Sequence, residues 1–429
     1  MPTITSLHAR EVLDSRGKPT VECEITTSTG NVGLAIVPSG ASTGLAEARE
    51  LRDGDATRYD GQGVLQAVAN VNQVIAPRLI GCEVTDQREI DRRLLELDDS
   101  PQKEKLGGNA LLAASLATAH AAAASKNVPL YRHLAEVWRE IALDRGLPAD
   151  KIAPPKMPLP MVNMISGGKH AGGNLDFQDV LIQPVGATSF RVGLEWIVRV
   201  YRRLGELLNK AGYEGYLVGD EGGFGPRLKS NREAVDFVVQ AIVAANLRPG
   251  EDINIAIDVA SSHFFRNGMY VLQSEREQQL SAEQMIDELA SWVAAFPIVS
   301  IEDGLAENDW AGWQRLTTRL GSQIRLVGDD LFATNEKLLR RGIAENVGNA
   351  VLIKVNQIGT LTETLQTMAV ARQAGYACVV SARSGETEDF TIADLAVATA
   401  AESIKVGSIV RSERLAKYNR LLRIEEAIE

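Results

Sequence analysis

The sequence predicts an α/β protein, in which a modified (β/α)₈ barrel follows a smaller N-terminal α+β domain. The chain has 429 residues, and a barrel of this kind uses about 250 residues as one unit. Eight short apolar runs recur in the second part of the chain, with helical stretches between them. A proline-rich stretch separates them from an N-terminal part of different patterning, which indicates two domains.

The N-terminal α+β domain is predicted over residues 1–140. The segments VECEITT and VGLAIV read as short strands around a glycine turn, and the pattern becomes helical from about Gly63 onward. Residues 110–125 are rich in alanine but contain serine, threonine and histidine. A membrane span needs about 20 apolar residues, so we expect a buried helix here, capped by Asn109, and no transmembrane segment.

The domain boundary is predicted in a linker over residues 141–160. Five prolines fall within the stretch GLPADKIAPPKMPLP. Because each proline fixes φ and lacks a backbone donor, neither a helix nor a central strand can run through it. The barrel is therefore expected over residues 161–429.

The barrel strands are predicted from continuous apolar runs, which a strand buried on both faces requires. These runs are MVNMIS, VLIQP, INIAID, IVSIED, IRLVGDD, AVLIKVN, ACVVSARS and SIKVGS. A helix is expected from Ser281 to Phe296, where Ser281 and Gln284 can form a capping box. Only a glycine-rich loop separates the first two runs, so the barrel should begin irregularly.

Composition excludes several classes of function. Lys and Arg total 45 against 56 Asp and Glu, which gives a net charge of −11 that would repel nucleic acid. The three cysteines lie far apart without a C-x-x-C motif, so neither a disulfide framework nor a zinc site is expected. The N-terminus has no apolar signal-peptide core. These features predict a cytoplasmic protein without a nucleic-acid or membrane partner.

Candidate site residues come from the strand ends, because barrel enzymes place their catalytic groups at the C-terminal ends of the strands. The polar residues that end six consecutive runs are Asp258, Glu302, Asp329, Lys354, Arg383 and Lys405. A single carboxylate of this kind is usually solvated or salt-bridged, but three in register favour Mg²⁺ binding. The cations would hold an anion against the metal.

Two of these cations allow more than one interpretation. Lys354 is either neutralised by a carboxylate of the rim or prepared to act as a base. Arg383 and Ser384 before a glycine fit either a phosphate or carboxylate clamp or an ordinary turn.

Glycine-rich loops supply further candidates. The segments SGASTG (39–44) and GGKHAGG (167–173) could form lids or anion-binding nests, although each signal alone is weak. GDEGGFG (219–225) places Asp220 and Glu221 where no helix can continue, so these acids serve either a turn or a site. His170 is the one histidine in such a loop, and the others are expected to be structural.

The order of several longer segments is similar to that of a known family. HAREVLDSRGKPTVE, VPSGASTG, GDEGGF, SIED, GDDLFATN, KVNQIGTLTET, RSGETED and RSERLAKYNRLLRIEE resemble segments of the enolase (phosphopyruvate hydratase) family over nearly the whole chain. The resemblance implies an N-terminal capping domain, a barrel that begins ββαα, and two Mg²⁺ ions. It also implies the reversible glycolytic dehydration of 2-phosphoglycerate to phosphoenolpyruvate by a homodimer or higher oligomer.

The resemblance also implies a role for each matching residue. The metal ligands are expected to be Asp258, Glu302, Asp329 and, for the second ion, Ser42. The catalytic residues are expected to be Lys354 as the base for the C2 proton, Glu221 as the acid for the C3 hydroxyl, Asp179 as the partner of Glu221, and His170. The substrate oxygens are expected to be held by Gln178, Arg383, Ser384, Lys405 and His170, the last arriving when its loop closes.

The chain departs from the family pattern at several positions. Asp179 stands where the family has glutamate, and Ala382 replaces a histidine beside the phosphate and the leaving group. Gly304 replaces a proline, and residues 406–409 read VGSI instead of TGAP. Losing one such polar contact often costs about 10²–10³ in rate.

These departures leave three hypotheses open. The chain is an enolase; or it is a divergent relative acting on a phosphoenolpyruvate-like or phosphonate substrate, as carboxyphosphonoenolpyruvate synthase does; or it is a non-catalytic binding scaffold.

Overall fold

The computed structural model describes residues 1–41, 44–274 and 277–428. They form an N-terminal α+β domain followed by a closed eight-stranded barrel surrounded by helices. The predicted fold class is therefore confirmed. The last N-terminal helix ends at Asp144 and the first barrel strand begins at Leu159; the limits 1–140, 141–160 and 161–429 remain our proposal for the domains.

The N-terminal domain packs one sheet against helices. Its antiparallel strands, in the order β1-β2-β3, are β1 (Ile4–Leu13), β2 (Pro19–Thr27) and β3 (Val32–Ile36). Its helices are α1 (Leu65–Asn70), α2 (Ala76–Leu79), α3 (Gln87–Leu97), α4 (Gly108–Lys126) and α5 (Leu130–Asp144). A π-helical turn, Val71–Ile75, joins α1 to α2.

Helix α4 is the alanine-rich segment, and it is buried over most of its length. Small side chains allow the sheet to approach closely: a Cβ at Gly33 would lie 2.1 Å from the backbone nitrogen of Ala121. The prediction that Asn109 caps this helix is wrong, because the N-cap is Gly107. The Asn109 side chain instead accepts a hydrogen bond from the backbone of Leu51 at 3.0 Å.

All eight predicted apolar runs contain barrel strands. Around the barrel they are β4 (Leu159–Ser166), β5 (Asp179–Gln183), β6 (Asn254–Asp258), β10 (Ile298–Glu302), β11 (Arg325–Gly328), β12 (Ala350–Ile353), β13 (Ala377–Ser381) and β14 (Ser403–Gly407). Strand β5 is antiparallel to both of its neighbours, and the other pairs are parallel. The irregular beginning expected from the short loop is therefore present.

Helices and one small sheet complete the second domain. The helices are α6 (Phe190–Lys210), α7 (Asn231–Ala244), α8 (Ala282–Ala295), α9 (Trp310–Leu320), α10 (Glu336–Glu345), α11 (Val355–Ile358), α12 (Leu361–Gln373), α13 (Thr391–Ala398) and α14 (Ser412–Ile428). The small antiparallel sheet consists of β7 (Phe265–Arg266), β8 (Met269–Leu272) and β9 (Gln278–Leu280). Both α6 and α7 follow β5 before the next strand, which gives the ββαα order. The predicted capping box at the start of α8 is present.

The inside of the barrel is filled by apolar side chains. They form one cluster of Met161, Leu181, Ala256, Val327, Ala350, Leu352, Ala377 and Val379. Polar groups therefore collect at the strand ends, where the N-terminal domain meets the barrel through a β-bridge between Ser39 and Gly385. Within the described ranges, none of the helices combines the length and apolar character needed to cross a bilayer.

Candidate active site

A small cavity lies at the C-terminal ends of the barrel strands. Its lining consists of His170, Gln178, Glu221, Asp258, Ala260, Asp303, Asp329, Asp330, Lys354, Ser381, Ala382, Arg383, Ser384 and Lys405. A larger groove lies at the opposite end of the strands, but its lining includes a single carboxylate, Glu402. The smaller cavity therefore holds the chemistry that the strand ends predicted.

Lys405 joins two of the predicted metal ligands. Its Nζ donates to Asp258 Oδ2 at 2.7 Å and to Glu302 Oε2 at 2.8 Å. Gln178 Nε2 also donates to Asp258 Oδ2, at 3.1 Å. Because β6, β10 and β14 end at the same rim, residues far apart in sequence meet within hydrogen-bonding distance.

Burial and charge act in opposite directions on these groups. Burial alone would raise the pKa of Asp258, but the Lys405 ammonium outweighs it and the pKa lies below its ordinary value. Burial, reinforced by the neighbouring charge of Asp258, raises the pKa of Glu302 well above the ordinary value. The pKa of Lys405 is raised well above its ordinary value because nearby carboxylates, led by Asp258, outweigh burial. Two carboxyl groups thus share one ammonium, and Glu302 is the one that holds a proton more readily.

Lys354 lies against Asp329, with 2.5 Å between Nζ and Oδ2. Burial would lower the pKa of Lys354, but the charge of Asp329 outweighs it and holds the pKa above its ordinary value. Arg383 and Lys405 act in the opposite direction, because they repel the ammonium. Both interpretations of Lys354 remain compatible with this geometry: the lysine is paired with a carboxylate, and other cations lower its affinity for a proton.

A second group of ionisable residues forms around His170. Its Nδ1 lies 3.0 Å from Asp179 Oδ2, and its Nε2 lies 3.8 Å from Glu221 Oε1. Asn163 Nδ2 donates to the other oxygen of Asp179. His170 is already buried between the two acids in this structure.

The imidazole of His170 is the cation of this group. Burial would lower the pKa of His170, but Asp179 and Glu221 outweigh it and raise the pKa to about 9. Burial raises the pKa of Asp179 although His170 opposes it. Burial acts in the same sense on Glu221, but His170 outweighs it and the pKa is lowered. At neutral pH the His170 imidazole is therefore protonated.

The GDEGGFG segment positions Glu221 through a backbone contact with the loop that carries His170. The backbone nitrogen of Asp220 donates to the carbonyl oxygen of His170 at 3.0 Å. Gly222 follows with φ +87°, a conformation that other residues rarely adopt. Between these two, the Glu221 side chain is buried and lines the cavity.

Arg383 and Ser384 line the cavity after β13, where their backbone is held by the buried Arg414. The two Nη atoms of Arg414 donate to the carbonyl oxygens of Arg383 and Ser384, each at 2.6 Å. Ser384 Oγ accepts hydrogen bonds from Arg16 Nη1 at 3.1 Å and from the backbone nitrogen of Ala41 at 2.8 Å. Since these donors occupy its acceptor directions, the Ser384 hydroxyl hydrogen can be donated to a ligand.

Ala382 contributes a methyl group to the same lining. Its backbone nitrogen donates to the carbonyl oxygen of Lys405 at 2.8 Å, so the main chain is fixed by the adjacent strand β14. The departure from the family pattern therefore alters the wall of the cavity.

The residues present fit a divalent cation. Glu302 Oε1 and Gln178 Oε1 are buried without a hydrogen-bond partner among the described residues, and carboxylates outnumber cations in the lining. Asp258, Glu302 and Asp329 offer hard oxygen atoms of the kind that Mg²⁺ prefers. In the part of the chain that the structure describes, two sets of residues have ligand atoms within 4.8 Å of one another: His170, Asp179 and Glu221; and Asp303, Asp329 and Asp330. Ser42, expected at the second ion, lies outside the described residues.

Several residues of the site were missed by sequence reasoning. Asp303 accepts hydrogen bonds from the backbone nitrogens of Asp329 and Asp330 at 2.9 and 2.8 Å. The doubled acids in SIED and GDD were a signal that could have identified it. Glu47 and Gln357 also contact site residues, although nothing in the local sequence marks them.

Two family models match this chain. One, described as "Enolase, C-terminal TIM barrel domain", matches residues 155–429. The other, described as "Enolase, N-terminal domain", matches residues 4–134. Together they span both domains and every strand that contributes to the cavity.

Proposed function

This chain belongs to the enolase family, and on that premise we propose that it is a lyase that reversibly dehydrates 2-phosphoglycerate to phosphoenolpyruvate with Mg²⁺. The observation that carries the proposal is the placement of Lys354 and Glu221 in one lining, with the acidic strand ends and cations beside them. Strand β12, which precedes Lys354, and strand β5, which carries Asp179, are on opposite sides of the closed barrel. A substrate in the cavity would thus meet a lysine on one side and the His170 group on the other.

In the forward direction Lys354 removes the proton from C2, next to the substrate carboxylate. Only the neutral amine can accept this proton, so Lys354 has to give up one proton to solvent and release Asp329 as the substrate enters. The positive charges of Arg383 and Lys405 favour this release because both act to lower the lysine pKa. The charge left on the substrate carboxylate then faces the Lys405 ammonium.

The Mg²⁺ ions would be held by Asp258, Glu302 and Asp329, with Ser42 for the second ion, and would supply positive charge to the substrate carboxylate. Asp258 and Glu302 end β6 and β10, and Asp329 directly follows β11. Glu302 and Asp258 keep the assembly rigid because both are also fixed by Lys405.

Loss of the C3 hydroxyl requires an acid, and the His170 group holds the proton for it. We assign Glu221 as the residue that protonates the hydroxyl and His170 as the source of that proton. His170 Nε2 is 3.8 Å from Glu221 Oε1, and its pKa of about 9 keeps the imidazole charged at neutral pH. Asp179 orients the ring from the opposite nitrogen.

The remaining lining residues bind substrate oxygens. Arg383 offers a guanidinium, Ser384 an O–H, and Lys405 an ammonium. Gln178 is held by its amide nitrogen against Asp258, which leaves its Oε1, without a partner among the described residues, for a donor such as a substrate hydroxyl.

The direct test is the absorbance rise from phosphoenolpyruvate when pure protein is mixed with 2-phosphoglycerate and Mg²⁺. We expect turnover of about 10 s⁻¹ or more, in the middle of the usual enzyme range, and its loss in Lys354→Ala. Lys105→Ala, which removes an exposed lysine of the N-terminal domain, is the matched control and should keep full activity. Turnover absent from the wild-type protein with Mg²⁺ bound would contradict the proposal.

The methyl group of Ala382 in the lining favours one second candidate. A divergent relative would keep the metal ligands and Lys354 but accept a phosphoenolpyruvate-like acid with a different substituent where the family histidine stood. A homodimer in the cytoplasm remains our prediction for either enzyme. The third hypothesis, a binding scaffold, has no observation in its favour among the described residues, since Lys354, Glu221 and several carboxylates line one cavity.

A further inference from the structure

Glu47 is a buried carboxylate of the N-terminal domain that contacts the site without lining its cavity. Its Oε2 accepts a hydrogen bond from Arg383 Nη1 at 2.9 Å. Its Oε1 accepts from Gln357 Nε2 at 3.2 Å and from the backbone nitrogen of Gly44 at 2.9 Å. One side chain thus joins a substrate-binding arginine of the barrel to the end of the SGASTG loop.

Gln357 extends this contact to a metal-binding carboxylate. Its Nε2 also donates to Asp329 Oδ1 at 2.9 Å, and its Oε1 accepts from Thr334 Oγ1 at 2.7 Å. Thr334 Oγ1 in turn accepts from the backbone nitrogen of Lys354 at 2.9 Å. The amide of Gln357 is therefore fixed at both ends and lies between Glu47 and Asp329.

The neighbouring residue ties the other end of the loop to the same arginine. Asn356 Oδ1 accepts from Arg383 Nη1 at 2.8 Å, and its Nδ2 donates to the carbonyl oxygen of Pro38 at 3.3 Å. Pro38 directly precedes the SGASTG segment, and Gly44 ends it. Both ends of this loop are therefore held by the group that orients Arg383.

The charge of Glu47 is matched to its partners. Among the described residues, the three groups that contact its carboxylate oxygens are all donors: a guanidinium, a side-chain amide and a backbone N–H. An amide at position 47 would place its own NH₂ against at least one of these donors in either orientation. A neutral group would also leave the buried Arg383 without the carboxylate that balances it, so the guanidinium would turn toward the charge of Asp329.

We propose that Glu47 is a positioning residue of this enzyme, which holds Arg383 for the substrate directly and Asp329 for Mg²⁺ through Gln357. This inference rests on the proposed function for the substrate of Arg383 and for the Mg²⁺ site at Asp329. The hydrogen bonds that run from Glu47 through Gln357 to Asp329 predict that changes at Glu47 alter Mg²⁺ affinity even when no substrate is present.

The test compares Glu47→Gln with Glu104→Gln, which makes the same change at an exposed glutamate of the same domain. Titration calorimetry on substrate-free protein gives the Mg²⁺ dissociation constant. We expect it to rise at least about fivefold in Glu47→Gln and to change by less than about twofold in Glu104→Gln, since a charge-assisted hydrogen bond is lost only in the former. At saturating Mg²⁺ the KM for 2-phosphoglycerate should rise about tenfold, with a smaller fall in kcat.

A second variant separates positioning from simple loss of charge and guards against misfolding. Gln357→Met removes no charge but breaks the link between Glu47 and Asp329, so we expect it to weaken Mg²⁺ binding in the same direction. The melting temperature of each variant shows where it unfolds, and all assays are made well below that temperature.

The proposal is overturned if Glu47→Gln matches Glu104→Gln in both Mg²⁺ affinity and KM, or if Gln357→Met binds Mg²⁺ as the wild type does. If the wild type does not turn over 2-phosphoglycerate but both variants still weaken Mg²⁺ binding, the proposed function fails while the positioning role stands.

Discussion

The barrel rim and the helices of the N-terminal domain both bury basic side chains, but the one at the rim is charged and the one in the helices is neutral. At the rim Lys405 is buried against Asp258 and Glu302, and its pKa is raised well above the ordinary value because those carboxylates outweigh burial. In helix α5, His133 is fully buried and neither ring nitrogen has a hydrogen-bond partner among the described residues. Burial there lowers the pKa of the imidazole to about 4.

The difference shows that burial alone does not decide whether a side chain is charged. Removing a charge from water is costly, and the group stays charged only where an opposite charge faces it. At His133 the charge of Glu136 does not offset burial and the nearby Lys126 adds to its effect, so the imidazole is neutral at physiological pH. The rim places acids and cations together on strand ends, and this costly arrangement is what metal and substrate binding require.

The largest effects are expected from replacing Lys354 or Glu221, which we place on the two sides of the bound substrate. Lys354→Ala should abolish both dehydration and exchange of the C2 proton with solvent, each by about 10³-fold or more, because a general base contributes up to about 10⁴. Glu221→Gln should abolish dehydration to a similar extent but retain proton exchange, because the base is still present. Deuterium incorporation into 2-phosphoglycerate, followed by NMR in D₂O, measures the exchange separately from product formation.

The control for this pair is Lys105→Ala, which should leave both rates unchanged. Loss of exchange in both variants would show that the two sides do not act in separate steps. Retention of exchange in Lys354→Ala would remove the base assignment altogether.

The second prediction concerns the charge of His170, which lies between Asp179 and Glu221. Asp179→Asn keeps the size of the side chain but removes the carboxylate that lies 3.0 Å from Nδ1. We expect the pKa of His170 to fall from about 9 toward its ordinary value of 6.5, since Asp179 raises this pKa more than Glu221 does. The kcat for dehydration should fall about 10²-fold at pH 8, where the variant imidazole loses its proton.

NMR titration of the imidazole in metal-free protein measures this pKa directly. Asp287→Asn, an exposed site on α8, is the control and should leave the His170 titration unchanged. A His170 pKa that stays near 9 in Asp179→Asn would assign the effect to Glu221 instead.

Ala382→His gives a smaller expected effect and tests the second candidate function. If the chain is adapted to 2-phosphoglycerate with a methyl group at this position, adding the imidazole should change kcat/KM by less than about tenfold. Ala382→Gln, which adds a polar group without a titratable charge, is the matched control. A gain of about a hundredfold in Ala382→His alone would indicate that the cavity is specialised for another acid.

The fold and the strand-end residues could be predicted from the sequence because both follow from local patterns. An apolar run that ends in Asp258 or Lys405 defines the strand and, since parallel strands end at one rim, also the side chain's place. Glu47 could not be found in this way, because its contact with Arg383 joins residues 336 positions apart. The cap of α4 was misplaced for a similar reason, since Asn109 is engaged by Leu51 of a distant loop.

The smallest expected effect lies at His133, far from the chemistry, where stability and not activity should change. Its folded-state pKa of about 4 lies below the ordinary value of 6.5, so the unfolded chain binds the proton more tightly. The stability that this group contributes is present above pH 6.5 and is lost as the pH falls toward 4. Between pH 7.5 and pH 5.5 the loss should be about 1 kcal/mol.

Urea unfolding of wild type, His133→Leu and His8→Leu at both pH values measures this difference. His8 is exposed, so its replacement should leave the pH dependence of the wild type intact. His133→Leu should lose about 1 kcal/mol less than the wild type over the same interval, because no proton can then be taken up at position 133 on unfolding. Equal pH dependence in all three proteins would mean that His133 finds a partner in solution, and the contrast with the barrel rim would then fail at this residue.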